Sequence, residues 1–140
     1  MRTYSLNKVL AATSQYEGGE FEGFNPEEWL QHPKNIALTN GNDDIALFEH
    51  QAEMAEGTVC GHYFFHSRGK QAVEAAKTFL EEIFSEEYDV ENIMGLTPIE
   101  HKGALWMNKR LGFKEHGTVD TVEGPCMFVL LTKQQWKDSK

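Results

Sequence analysis

Basic residues are scarce in this sequence. Thirteen Lys and Arg stand against 22 Asp and Glu in 140 residues, a formal net charge of −9. Proteins that track a nucleic-acid backbone draw affinity from Lys and Arg displacing counterions, so nucleic acid is disfavoured as a partner. Cysteine is scarcer still. Cys60 and Cys126 each sit inside an apolar, strand-like run and read as buried thiols of a reducing compartment, not as a disulfide framework. His32, His101 and His116 are too scattered for a ligand set, so no metal is expected. No apolar run approaches the roughly 20 residues that span a bilayer. The opening Met1-Arg2-Thr3-Tyr4-Ser5-Leu6 lacks the apolar stretch of a signal peptide. The expectation is a cytoplasmic protein without a membrane partner. Repeats and low-complexity linkers are also absent, which suits one domain over residues 1–140.

Apolar residues make up 40% of the chain, enough for a real core. Residues 1–35 are hard to read, because Gly18-Gly19 and Gly23 break any periodicity. Within them, Asn25-Pro26-Glu27-Glu28-Trp29-Leu30 has the cap and N1 proline of a short helix. Ile36–Thr39 and Ile45–Glu49 are strand-like and flank the turn chemistry of Asn40-Gly41-Asn42-Asp43, which predicts a hairpin. Thr58–Phe65 is a third strand, rich in β-branched and aromatic residues. From Gly69 to about Ser85, Val73, Ala76, Phe79, Leu80 and Ile83 recur at helical spacing opposite Glu74, Lys77, Glu81 and Glu82. Val90–Leu96 is a strand. Thr97-Pro98-Ile99-Glu100 reads as the start of a second helix that stops at Gly112. Strands Phe113–Val119 and Cys126–Thr132 follow, joined at Glu123-Gly124-Pro125, and Lys133–Lys137 is a short helix or tail. The order is three strands, helix, strand, helix, two strands. It predicts an α/β fold of mixed pairing.

One loop carries a chemical signal. His66-Ser67-Arg68-Gly69-Lys70 joins a strand to a helix N-terminus, where unpaired N–H groups and the positive dipole end favour a phosphate. Gly69 would let the backbone approach that anion, and Arg68 and Lys70 add charge. The plain alternative is a solvated loop with two basic residues. Trp29, Trp106 and Trp136, with Phe64, Phe65, Phe79 and Phe84, read as core rather than as a stacking platform.

Arg68-Gly69-Lys70-Gln71-Ala72-Val73, then Gly95-Leu96-Thr97-Pro98, Ala104-Leu105-Trp106-Met107-Asn108 and Leu111-Gly112-Phe113, in that order and separation, resemble the GNAT acetyltransferase family. The resemblance covers roughly residues 36–132. It departs at Gln71 and Val73, where the family prefers small residues, at His101, where Asn is usual, and at Asn108, where Tyr is usual. The Arg-Gly-Lys-x-Ala form also looks like GNAT-like proteins encoded by bacteriophages. The resemblance implies a mostly antiparallel central sheet with flanking helices, and an acetyl-CoA or other acyl-CoA cofactor. The acceptor would be an amine on a small molecule or a protein, and a homodimer stays open. By the same resemblance Arg68, Gly69, Lys70, Gln71, Ala72 and Val73 hold the pyrophosphate. An N–H of Tyr63 or Phe64 meets the thioester oxygen, and Asn108 stands beside the leaving thiolate.

His62 lies on the strand before the loop, and strand alternation sets it with Cys60, Phe64 and His66, opposite Tyr63 and Phe65. An imidazole titrates near neutrality, which suits a general base. A partly buried strand histidine is the plain alternative, and Glu49 or His50 would be the next candidates. Asn108 offers an amide that can hydrogen-bond thiolate or cofactor but cannot supply a proton. Tyr63, Tyr88 or Tyr4 would have to substitute. A second class of function, a GNAT-like binding or structural module without turnover, therefore stays in view.

Overall fold

A computed structural model describes residues 1–14 and 25–139. The Gly18-Gly19 and Gly23 breaks fall outside the described residues. The elements are α1 (Leu6–Thr13), α2 (Pro26–Gln31), β1 (Ile36–Thr39), β2 (Ile45–His50), β3 (Thr58–Phe64) and α3 (Lys70–Ile83). They continue with β4 (Asn92–Pro98), α4 (Lys102–Leu111), β5 (Lys114–Thr121), β6 (Gly124–Thr132) and α5 (Lys133–Asp138). The six strands form one sheet in the order β1-β2-β3-β4-β6-β5. All neighbours are antiparallel except β3 and β4, which α3 links as a parallel crossover.

Helices cover β1 and β2 on both faces, so β1 and the first four residues of β2 are buried throughout instead of alternating. One face carries Leu38, Phe48, Val59, Phe79, Leu80, Ile83, Ile93 and Leu131. The other packs Ala37, Ile45, Leu47 and Phe64 against Val9 and Ala12 of α1 and Trp29 of α2. Tyr63 and Phe65 pack against the first cluster and Phe64 belongs to the second, as strand alternation requires. Among the described residues no helix is long and apolar enough to cross a membrane.

Several sequence expectations need correction, and one helix was not foreseen. Thr97-Pro98-Ile99-Glu100 does not open a helix. Thr97 and Pro98 finish β4, paired with Met127 and Cys126, and α4 begins at Lys102 with His101 at its cap. The cap-like residues lost to strand pairing, which satisfies the backbone over a longer stretch. The last hairpin turns at Val122-Glu123, and Gly124 (φ 94°) and Pro125 already lie in β6. Helix α1, unread in the sequence, buries Val9 and Ala12 under a Ser5 cap. Trp106 is not core: it is 55% exposed on α4, with the Arg110 guanidinium 5.8 Å from its ring centre. Of the two thiols, Cys126 is buried and Cys60 only half-buried.

Phe79 is fully buried where α3 meets the sheet. Phe79→Ala should cost about 3–5 kcal/mol, from lost transfer energy plus the cavity left behind. Urea unfolding should show this as a lower midpoint at an unchanged slope.

Candidate active site

β3 and β4 pair only over Thr58–Asn92, Val59–Ile93 and Cys60–Met94. Both strands continue, but with other partners. β3 follows β2 to the Phe64–Ile45 pair, and β4 follows β6 to the Pro98–Cys126 pair. The sheet therefore opens between them, and its gap forms a cleft of about 650 Å³. The phase of β3 decides which amides face the gap. Gln51 N–H donates to Thr58 C=O, and Gly57 C=O accepts from Asn92 N–H on the β4 side. His50 N–H turns away from β3 to Asn35 Oδ1 at 2.8 Å. Stepping by twos from these points, the N–H groups of Gly61 and Tyr63 face the gap, while those of His62 and Phe64 face β2.

The loop after β3 is held from below by Asp44. This carboxylate is fully buried. It accepts from His66 N–H (2.7 Å), Ser67 N–H (2.8 Å), Ser67 Oγ (2.7 Å) and Asn40 Nδ2 (3.0 Å). Burial alone would raise its carboxyl, but the hydrogen bonds from Ser67, Asn40 and His66 outweigh that and hold it below the ordinary carboxylate value. Arg68 closes the loop from the other side. Its guanidinium donates to the carbonyls of Phe65 (2.8 Å), Ser67 (3.1 Å) and His66 (3.4 Å). Gly69 then takes φ 56° and ψ −128°, a conformation that glycine adopts without strain. Helix α3 starts with no side-chain cap. Its first internal bond runs from Val73 N–H to Gly69 C=O, leaving the amides of Lys70, Gln71 and Ala72 in the first turn without intrahelical partners.

His62, Tyr63, Phe64, Arg68, Gly69, Ala72 and Asn108 all line the cleft. Lys70 and Gln71 are exposed on the first turn of α3, outside the lining. Val73 is buried and its amide is spent inside the helix, so it drops out of the set of open loop amides. Asn108 Nδ2 donates to Thr97 Oγ1 at 2.9 Å, tying α4 to the end of β4. His62 Nε2 stands 4.0 Å from Glu49 Oε1 on the neighbouring strand. Asp44 and Gly61 went unrecognised in the sequence, and the facing Gly95 was read only as part of the Gly95-Leu96-Thr97-Pro98 run. Asp44 was masked by adjoining an ordinary turn composition. No group of three or more potential metal ligands occurs among the described residues.

No protein-family model matches the chain, and no curated protein matches it in sequence. Solved structures do match in shape. An aminoglycoside acetyltransferase AAC(6')-Ib in complex with coenzyme A and kanamycin aligns at TM-score 0.62 and 18% identity, over 81% of this chain and 78% of its own. A chimera of the spermidine N-acetyltransferase SpeG from Vibrio cholerae and hSSAT aligns at 0.71 and 9%, over 94% and 93%. A GNAT-family acetyltransferase from Bacillus anthracis aligns at 0.64 and 12%, over 95% and 93%. The fold is that of the GNAT acetyltransferases. The β3–β4 opening and the loop before α3 line one continuous cleft.

Asp44→Ala would strand four donors, two of them buried, and should cost roughly 3 kcal/mol or more in thermal or urea unfolding. The pH dependence has a definite sign. A carboxyl lowered in the folded state stabilises above its unfolded value near 4 and loses that contribution as pH falls further. The stability gap between wild type and Asp44→Asn should therefore be full at neutral pH and shrink progressively below about pH 4.

Proposed function

We propose that this protein is an N-acyltransferase moving an acetyl or other short acyl group from acyl-CoA to an amine. The observation that carries the reading is the junction of an opened sheet with an uncapped helix N-terminus in one cleft. The diphosphate of CoA would take the amides of Gly69 to Ala72, with Lys70 adding charge and Arg68 keeping the loop shaped. The acyl-bearing arm would run into the gap, where N–H groups of Gly61 and Tyr63 can meet the thioester oxygen as negative charge develops. CoA supplies the activated thioester. The chain's own residues orient it and manage protons. An amine on a small molecule or a protein is the acceptor. The setting is a reducing cytoplasm, in keeping with the thiols and the bacteriophage resemblance.

His62 is the proposed base, with Glu49 beside it to favour the imidazolium that forms on proton removal. Asn108 is a positioning residue here, since its amide is engaged by Thr97. That engagement, with no tyrosine at this place, also favours the second reading: a module that binds acyl-CoA without turnover.

Titration with acetyl-CoA, followed by calorimetry and melting temperature, tests the shared premise. At a hundredfold excess over Kd the native state should gain about 2.7 kcal/mol. No shift at millimolar cofactor would remove both acyl-CoA readings and leave a GNAT-like structural module.

Turnover against a panel of amines then separates the two. For an enzyme, the rate should rise through about pH 6 to 7.5, and His62→Ala should lower it roughly 100-fold and flatten that rise. An unchanged profile would dismiss His62 as the base.

A further inference from the structure

A large aromatic ring stands exposed on the wall of the cleft. Trp106 of α4 lines it together with Gly103 of the same helix and with Gly69 and Ala72 of the proposed diphosphate site. Its indole is 55% exposed, whereas Trp29 and Trp136 are buried. A lone apolar side chain on a surface is ordinary. Two neighbours make this one different.

One is Gly103, in the first turn of α4. Glycine weakens a helix relative to alanine, and nothing in the fold asks for it here. Its backbone is ordinary right-handed helix, and an added Cβ would meet nothing within 4 Å. Long side chains on a helix lean back over the preceding turn, so the indole lies toward residues 102 and 103. The bare backbone of Gly103 thus leaves open space beside the ring, on the wall of the cleft.

The other is Arg110, one turn further on, with its guanidinium 5.8 Å from the ring centre. A ring that already faces one cation does not suit a second, so an ammonium is a poor occupant. A flat, neutral heterocycle is a good one, and a phosphate attached to it would find the guanidinium close by. Glu100 and Glu123 also line the cleft and repel phosphate, which leaves the Arg110 side of the indole for it. A flat base with a phosphate nearby is the chemistry of the nucleotide end of CoA, a 3'-phosphorylated adenosine. Helices α3 and α4 touch, so the diphosphate amides and this ring belong to one continuous surface.

We propose that Trp106 and Gly103 form a purine site, in which the adenine of the cofactor lies flat on the indole over the bare backbone and its 3'-phosphate turns to Arg110. The inference rests on the acyl-CoA reading given above and adds a selection among donors. A pantetheine arm carried without its nucleotide would keep the loop and the gap but gain nothing from Trp106. The site therefore favours free acyl-CoA over the same arm presented without adenosine.

Calorimetric titration of CoA, 3'-dephospho-CoA and 4'-phosphopantetheine tests this against wild type, Trp106→Ala, Gly103→Leu and Arg110→Gln, with the melting temperature of each unliganded protein. Base stacking on an aromatic ring makes Trp106→Ala about tenfold weaker for CoA, or more, and leaves phosphopantetheine unchanged. Gly103→Leu, which fills the open space, should weaken CoA alike and melt no lower than wild type. Arg110→Gln should weaken CoA several-fold and spare 3'-dephospho-CoA. Acrylamide quenching of wild-type fluorescence should fall with CoA and not with phosphopantetheine, because Trp106 is the exposed indole. CoA bound as tightly by Trp106→Ala as by wild type overturns the proposal. So does a loss that phosphopantetheine shares, since it has no base to stack. A loss in Arg110→Gln that 3'-dephospho-CoA shares overturns the place given to the phosphate. Wild type binding none of the three ligands would instead bring down the acyl-CoA reading itself, and this inference with it.

Discussion

The buried carboxylate of Asp44 fixes the geometry on which the site depends. It reaches from the β1–β2 hairpin to the loop after β3 and takes two successive backbone N–H groups and a hydroxyl there. Without it, those donors would lie buried and unpaired, and the chain would have no reason to turn where it does. Arg68 then takes up three carbonyls of the same turn. The carbonyls of Phe65, His66 and Ser67 and the amides of His66 and Ser67 are consumed internally, and the open amides of α3 lie beyond them. The loop is shaped by one anion behind it, and in the proposed reading it would present N–H groups to the diphosphate in front.

The second constraint is the change of partners within the sheet. A strand needs hydrogen bonds on both edges only where no water reaches. β3 and β4 each keep one well-paired neighbour past Cys60 and Met94, so they can part without unravelling. Side chains on the two faces pull the same way. Tyr63 and Phe65 belong to the cluster under α3, Phe64 to the cluster under α1 and α2, and both layers hold β3 flat against β2. The opening is thus a product of core packing, and the unusual backbone angles beside it, at Gly69, are ones that glycine adopts without strain.

Much of this was legible from the residues. The α3 stripe of Val73, Ala76, Phe79, Leu80 and Ile83 has one period and one solution, and the structure buries all five. Gly112 closes α4 in the left-handed conformation, as its place after a helical run implied. Local chemistry misled at Thr97-Pro98, where pairing with β6 decided the outcome from about 30 residues away. It was silent at Asp44, because an aspartate next to a turn looks the same whether it faces water or a loop 22 residues on. The parting of β3 from β4 has no local signature beyond two separated glycines. Such features are non-local, and a chain read in order does not display them.

The charge of the molecule makes sense only when those non-local features are counted. A net charge of −9 argues against a polyanionic ligand if charge alone governs binding. In the proposed reading the loop would work differently: its attraction would lie in oriented amides and a helix end, which act at contact distance and are little affected by acidic residues beyond about 10 Å in salt. Arg68 contributes shape more than charge, since its guanidinium is turned onto carbonyls of its own loop. The remaining acidity then acts on the other substrate of the proposed reaction. An acidic surface draws in an ammonium ion, but it also favours the protonated form, which cannot attack a thioester. A local base is needed to undo what the global field promotes. In the proposed reaction that demand would fall on His62, set 4.0 Å from Glu49 on the strand beside the gap: it would have to take a proton at the one place where the attracting charge becomes a hindrance.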